Sequence, residues 1–387
     1  MDLDSLLLRA LELGASDVHL KLGEPPVVRR DGSIERIEAE ALTAADLETV
    51  LHTVTTTLPG RVGEFEVTGE LDLAYSAPDL PRFRVNGFRQ RGAVSFAFRA
   101  IPDVVPTFDT LHLPAGVRRL AEEPRGLVLV TGATGSGKTT TLAAIVDHIN
   151  KTRRQHIVTI EDPIEILHRD QESIVNQREV GLDTASFEQA LRRAMRQDPD
   201  VILVGELRDA ETAQTALQAA ETGHLVLSTM HTLDAAETVS RMIEFFPTAK
   251  QPLIRNVLAG VLVGVISQRL LPRPAGGRVA AVEVMVMNAR ISELIRDERT
   301  DEIPDAIADG AFLDMQSFSQ ALIELVLAGE VDREVAASAA SNRHDFLLAL
   351  NQAVLRRDAG VDDVLAAQAQ KRPEEPEPDG NLRVVEW

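Results

Sequence analysis

The stretch "VLVTGATGSGKTTTLAAIVDHIN", Val128 to Asn150, sets three glycines, a lysine and three consecutive threonines between an apolar run and a helix-like segment. Its centre, Gly132 to Thr139, fits the pattern G-x-x-x-x-G-K-[ST], and the order strand, loop, helix is the one a phosphate-binding loop needs. Gly132, Gly135 and Gly137 let the backbone curl until successive N–H groups point at one place, and the positive end of the following helix adds to their field. Lys138 then reaches the β- and γ-phosphates, and the Thr139 hydroxyl ligands Mg2+. With Thr134, Ser136 and Thr140 these residues form a predicted cradle for ATP and Mg2+. The plain alternative is an ordinary glycine turn ahead of a helix.

Downstream, "DPDVILVGELRD" carries an apolar run, Val201 to Val204, through Gly205 to Glu206. An acid at the end of such a strand, beside the phosphates, orients the attacking water or holds the Mg2+ shell, and Glu206 is the candidate for both. The bland reading is a strand-end glutamate in a surface turn. "IVTIEDPIE" places Glu161 and Asp162 at the carboxyl end of another apolar run, the edge where open α/β sheets bind ligands, so Glu161 is a second catalytic candidate. "TGHLVLSTMHT" sets His224 before a strand and His231 after it, and both are candidates for sensing phosphate, against the alternative that each serves only the fold. Metal ligation by the pair is disfavoured because no third ligand stands at helical spacing.

"GLVLVTG", "HIVTIED", "DVILVGE" and "HLVLSTMHT" are apolar on both faces and separated by amphipathic helices, which predicts an α/β domain with a mostly parallel sheet, and after Arg278 to Val284 the rest to about Gln370 reads as helices. Residues 1–100 differ in texture. A helix over Asp4 to Leu13 ends at Gly14, "SDVHLKL" alternates, and "EPPVVRRDGSIERI" reads as two strands about an Asp31-Gly32 turn. "TAADLETVLHTV" follows as a helix capped by Thr43, and "ELDLAYSA" and "RFRVNGFRQRGAVSFAFRA" alternate as antiparallel strands. The predicted organisation is an α+β domain over 1–100, a proline-interrupted linker over 101–115, the P-loop domain over 116–285, a helical region over 286–370, and a charged, proline-rich tail over 371–387 expected to be disordered.

Composition narrows the function classes. A chain of 387 residues with 44% apolar content supports more than one core. The net charge of −20 opposes unspecific binding to nucleic acid or an anionic membrane, and 4% aromatics leave few platforms for stacking bases. No cysteine is present, which excludes disulfides and thiolate metal sites and fits a reducing cytosol. The start, "MDLDSLLLRALELGASDVHL", has no basic region of the kind that opens a signal peptide. No apolar stretch reaches the roughly 18 residues of a membrane span, and the best, Val257 to Ile266, is of helix-core length.

In chain order, "GATGSGKTT", "TIEDPIE", "ILVGELRD" and "TGHLVLSTMHT" resemble the Walker A, Asp, Walker B and His boxes of the type II/IV secretion ATPases. "GASDVHL", "PRFRVNGFRQRG", "FRAIP" and "VNQREVG" extend the resemblance over roughly residues 1 to 325. Within that superfamily the chain resembles the PilT-type retraction ATPases of type IV pili. The resemblance implies a PAS-like N-terminal domain, a RecA-like ATPase domain with a helical C-terminal extension, and a homohexamer whose nucleotide lies between the two domains. It also implies a cytoplasmic ring held at the inner face of the cytoplasmic membrane by the pilus platform protein, in company with other pilus motor ATPases. Small-domain arginines would complete the site. Arg84 and Arg99 fall on alternating strands of one hairpin, with Arg82 on the face of Arg84, and a planar, permanent charge suits equatorial phosphate oxygens. The alternative is a solvated basic face.

Assembly and type II secretion motors of the family usually add an N-terminal domain and a tetracysteine zinc element, which this chain is not expected to have. Retraction motors carry an Ala-Ile-Arg-Asn-Leu motif, of which "NARISELIRDERTDEIPDAI" keeps Ile291, Leu294 and the following "IRD". The reading is an ATP-hydrolysing motor for pilus retraction and twitching motility. Its rivals are an accessory or assembly motor, a nucleotide switch without turnover, and a nucleic-acid motor that the charge opposes.

Overall fold

Strands of the first hundred residues alternate between apolar and polar positions, and the structure pairs them into a sheet with one buried face. The computed structural model describes residues 2–30, 33–56, 59–101 and 104–358; the Asp31-Gly32 turn, part of the linker and the tail lie outside the described residues. β1 (Asp17–Lys21), β2 (Val27–Arg30), β3 (Ser33–Arg36), β4 (Glu70–Tyr75), β5 (Phe83–Gln90) and β6 (Ala93–Ala100) form a six-stranded sheet in the order β3-β2-β1-β6-β5-β4. Its pairings are antiparallel. β5 and β6 meet at Arg91 and Gly92, whose φ of 52° and 80° are those of a two-residue hairpin with matching twist. Helices Leu3–Glu12 and Ala44–Thr55 are capped by Asp2 and by a Thr43–Asp46 capping box. They bury Leu7 and Leu47 in a core with Phe65, Phe83, Phe96 and Phe98.

The second sheet is built from β7 (Gly126–Thr131), β8 (His156–Glu161), β9 (Ile174–Glu179), β10 (Val201–Val204), β11 (Leu225–Met230), β12 (Leu262–Pro272) and β13 (Arg278–Val286). Their order is β13-β12-β7-β11-β10-β8-β9, and the pairings from β12 through β9 are parallel. β7, β10 and β11 are buried along their whole length, which is why they read as continuous apolar runs rather than as alternation. The parallel register brings the carboxyl ends of β7, β8, β9, β10 and β11 to one edge.

Sequence reasoning missed two strands. β9, with "IVNQRE", sits at the edge of the sheet and has too few apolar residues to signal burial. The apolar run Val257 to Ile266 is not one helix. Helix Gln251–Val261 stops there and β12 begins at Leu262, because that segment completes the sheet beside β7. Short apolar runs do not distinguish buried strand from buried helix by period. Gly264 marks the strand, since a Cβ there would meet Leu120 Cδ2 at 2.4 Å and Met285 O at 2.7 Å.

By its contacts the chain divides into two compact units, Met1–Leu270 with Val282–Ser317, and Leu271–Ala281 with the chain from Phe318 onward. The second has its own core of Phe318, Leu322, Phe346 and Leu350 with Leu271 and Ala281, and its helices are Phe318–Leu327, Arg333–Ala339 and Arg343–Asp358. The architecture is the expected α/β fold with an N-terminal sheet and a helical C-terminal region. No helix among the described residues is long and apolar enough to cross a membrane.

Candidate nucleotide-binding site

The loop after β7 has the backbone that the glycines allow. Gly132, Gly135 and Gly137 have φ of 137°, 80° and 95°, all in the region disfavoured for other residues. Gly137 caps helix Lys138–Thr152, and no side chain caps its first N–H groups. Lys138 is 8% exposed, and its Nζ donates to Gly132 O at 2.7 Å and Ala133 O at 3.1 Å. Burial lowers its pKa, with the Glu206 charge acting in the opposite sense. Ser136 Oγ is buried with no hydrogen-bond partner. A buried ammonium resting on neutral carbonyls, an unpartnered hydroxyl and an uncapped helix start together fit an oligophosphate. Thr134 and Thr139 are exposed and Thr140 is half-buried at the same loop. Among the described residues no group of three or more His, Cys, Asp or Glu forms a metal cage, and the exposed Thr139 hydroxyl at the loop would suit an ion carried by a nucleotide.

Two acids converge on this edge. Glu206 follows β10 in a turn tied to β11 by the Thr229 hydroxyl, which donates to Gly205 O at 2.7 Å, and by Leu207 N–H, which donates to Thr229 O at 3.0 Å. Its carboxylate is largely buried, ion-paired with Arg208 and 3.3 Å from His231 Nε2. Glu161 ends β8 and accepts from the Thr159 hydroxyl at 2.6 Å and Gln177 Nε2 at 3.0 Å. Burial raises its pKa in spite of both bonds and of the nearby Arg82 charge.

His231 and His224 part company. Met230 lies opposite Thr131 in the β11–β7 register, so His231 is at the loop edge, whereas Leu225 lies opposite Gly126, so His224 is at the far end of the same strand. There its Nδ1 sits 2.9 Å from Ala219 O and 3.1 Å from Thr222 Oγ1. Six residues of extended chain, roughly 20 Å, separate it from the loop, so within its own chain His224 does not join His231 at that edge and instead anchors a helix end.

Arg84 and Arg99 are direct cross-strand partners on β5 and β6, as hairpin pairing requires. Arg99 is committed to Asp17, with Nε donating to Oδ1 at 2.8 Å. Arg84 is exposed and lines a cleft of about 280 Å³ with Arg61, Asp72, Asp162 and Glu179. Two residues went unread in the sequence. Arg208, two positions after Glu206, was visible in "GELRD" but had no geometric signal. Gln268 on β12 donates through Nε2 to Thr141 Oγ1 at 2.8 Å, directly behind the loop, and lies in a stretch to which the sequence pattern assigned no element.

Gly132 and Gly135 give a contrast that tests the loop. A Cβ on Gly132 would stand 2.5 Å from both Gln268 O and Ser136 Oγ, whereas one on Gly135 would meet nothing within 4 Å. Gly132→Ala is expected to cost about 1–3 kcal/mol from strain alone, more from the clash, and Gly135→Ala about 1 kcal/mol, read by urea unfolding. Equal losses would show that the loop relaxes freely.

A model of the type II/IV secretion system proteins matches residues 111–275. The type IV pilus retraction ATPase PilT of Pseudomonas aeruginosa is 44% identical over 346 residues, spanning 89% of this chain and 100% of that protein. The chain belongs to the type II/IV secretion ATPase family. Within the family it is PilT-like: a twitching motility protein of Neisseria gonorrhoeae is 42% identical, with 82% of this chain and 84% of that one covered. The crystal structure of the pilus retraction motor PilT with bound ADP superposes with a TM-score of 0.83 at 43% identity, covering 89% of this chain and 98% of that one. As a PilT-like secretion ATPase the chain is an enzyme that binds and hydrolyses ATP.

Proposed function

We propose that this PilT-like ATPase powers retraction of a type IV pilus, as a homohexameric ring working on the inner-membrane platform protein from the cytoplasmic face. The observation that carries the reading is the meeting of Lys138, Ser136, Glu206, Glu161 and His231 at one sheet edge, in a chain that covers a retraction ATPase along its whole length. Accessory and assembly motors are the less favoured reading, because the similar proteins named above are retraction and twitching proteins. In the proposed organisation, residues 1–100 form the moving small domain, 101–115 the linker, 116–285 the ATPase domain, 286–370 a helical region and 371–387 a tail.

The chemistry follows from the side chains. Loop N–H groups and Lys138 hold the phosphates, and Thr139 would hold a Mg2+ ion, which would supply positive charge against the charge developing on the phosphate oxygens. Glu206, held by the Gly205 tether and flanked by Arg208 and His231, orients the attacking water and accepts its proton. His231 stands where it senses whether the γ-phosphate is present. Glu161 supports the same water from β8. Closure of the small domain brings Arg84, and Arg99 from its Asp17 anchor, onto the transferring group, and the force on the pilus comes from the accompanying movement between domains.

Arg84→Ala is expected to lower kcat by about 2–4 kcal/mol of transition-state stabilisation, roughly 30- to 1,000-fold, with ATP affinity changed much less. Arg99→Ala is expected to fall short of that, because Asp17 already holds its guanidinium. Mixing Lys138→Ala protein with Arg84→Ala protein tests whether the site is shared between subunits. Recovered hydrolysis in mixed rings means that one interface drew an intact lysine and an intact arginine from different chains. A monomer hydrolysing ATP at the full rate would overturn the ring motor.

A further inference from the structure

Glu179 closes β9, and its carboxylate is 6% exposed. One oxygen, Oε2, accepts two bonds: from Arg82 Nη2 at 2.5 Å and from the Ile164 N–H at 3.2 Å. Arg82 stands just before β5 in the small sheet, with its side chain only 13% exposed, and Arg84 follows two residues later on the same face. Ile164 lies in the turn that follows Glu161 and Asp162. A single buried oxygen therefore ties the arginine-bearing strand to the loop behind a catalytic acid.

The turn after Glu179 is held in the same way. Glu179 N–H donates to Asp183 Oδ2 at 2.8 Å, and Gly181 O accepts from Arg61 Nη2 at 2.7 Å. Arg61 belongs to helix Pro59–Thr68 of the small domain and is steadied by Glu64 at 2.8 Å. Two arginines of the small domain thus converge on residues 179–181. The cleft they flank is the one lined by Arg84 and Asp162. Arg82 also bears on Glu161, whose pKa its charge lowers against the raising effect of burial.

We infer that Glu179 is a positioning residue for catalysis, which through Arg82 holds the small domain so that Arg84 stands at the nucleotide edge of the ATPase sheet. This rests on the role proposed above for Arg84. A pair this deeply buried does not slide: removing one partner strands a charge, so the domain either keeps this seat or leaves it. That makes the pair a latch with two positions rather than a lubricated contact. Glu179 sits on the strand that sequence patterning did not detect, in the "VNQREVG" segment to which nucleotide chemistry assigns no task.

The test uses the full-length protein with Glu179→Gln, Arg82→Gln and the double variant. Because the chain has no cysteine, spin labels at Glu38→Cys and Gln189→Cys, both exposed, report the distance between the two domains. Each single variant is expected to lower kcat at least ~10-fold while the ATP Kd moves less than ~3-fold, and to broaden the distance distribution. The double variant is expected to be no slower than the slower single, because both changes remove one interaction. Unchanged kcat and distance in either single variant, or losses that multiply in the double, would overturn the inference. If the Gln variants do not fold, Arg82→Lys and Glu179→Asp keep the charges while the first loses the planar fork and the second shortens the reach; wild-type kcat in both together with a broadened distance distribution would overturn it equally. Arg84→Ala measured alongside separates the two readings. If it turns over like wild type, the role of Arg84 fails; if it is impaired while Glu179→Gln is normal, only the positioning role fails.

Discussion

Lys138→Ala is expected to bring ATP hydrolysis to background and to weaken ATP binding about 10- to 150-fold, the equivalent of one charge-assisted hydrogen bond of about 1.5–3 kcal/mol. The reason is the state of the ammonium. It is buried, its pKa is lowered by that burial, and its bonds are to the carbonyls of Gly132 and Ala133 rather than to an anion. A cation so placed gains more from a phosphate than an exposed lysine does, because little water is left to displace. Loss of one such donor to developing charge costs ~10²–10³ in kcat elsewhere, and here binding falls as well. Lys138→Arg is also expected to fail, since a planar fork does not fit where a compact ammonium turns between two carbonyls. Calorimetric affinity, steady-state phosphate release and circular dichroism check the set. Hydrolysis by Lys138→Ala within tenfold of wild type would remove the lysine from the phosphate site.

Glu206→Gln is expected to leave ATP affinity within ~3-fold and to lower turnover by ~10²–10⁴, the range for removing a positioned proton acceptor. The amide keeps the shape of the side chain, so Arg208 and the Thr229 tether on Gly205 should hold the turn in place. What is lost is the charge that orients water and takes its proton. If Glu206→Gln turns over near wild-type speed, Glu161 becomes the base, and the pH–rate profile distinguishes the two. A base works deprotonated, so the rate rises with pH through its pKa. Burial raises the pKa of Glu161, so its acid limb would lie above the ordinary glutamate value of about 4.3. Measuring kcat from pH 4 to 8 in wild type and in Glu161→Gln would show whether that limb exists and disappears.

Much of this site is legible in the amino-acid sequence. The Gly132–Thr139 loop, the acid after Val204 and the acid after Ile160 are local patterns, in which an apolar run ends at the residue that chemistry needs. Parallel β-strands place all such run ends at one edge, so identifying the strands was nearly equivalent to placing Lys138, Glu206, Glu161 and His231 together. The facing of Arg84 and Arg99 was likewise available, because a hairpin register follows from its turn. His224 shows the limit. It was placed with His231 because both flank β11, yet one lies at the nucleotide edge and the other at the opposite end. Nearness in sequence to a strand says nothing about which end of it faces the ligand.

The amino-acid sequence by itself determined the class of fold, the phosphate loop and the order of the boxes, since each depends on residues within one or two turns of chain. Tertiary structure alone decided the rest. It made Leu262–Pro272 a strand beside β7 rather than the continuation of a helix, because completing a buried sheet outweighs the weak local preference of a short apolar run. It also chose the partners. Glu206 could have met any cation, and Glu179 has no local feature that points to Arg82, 97 residues away, or to Ile164. Those choices rest on which buried charges must find each other once the two sheets come together, a requirement that desolvation imposes only in the folded chain.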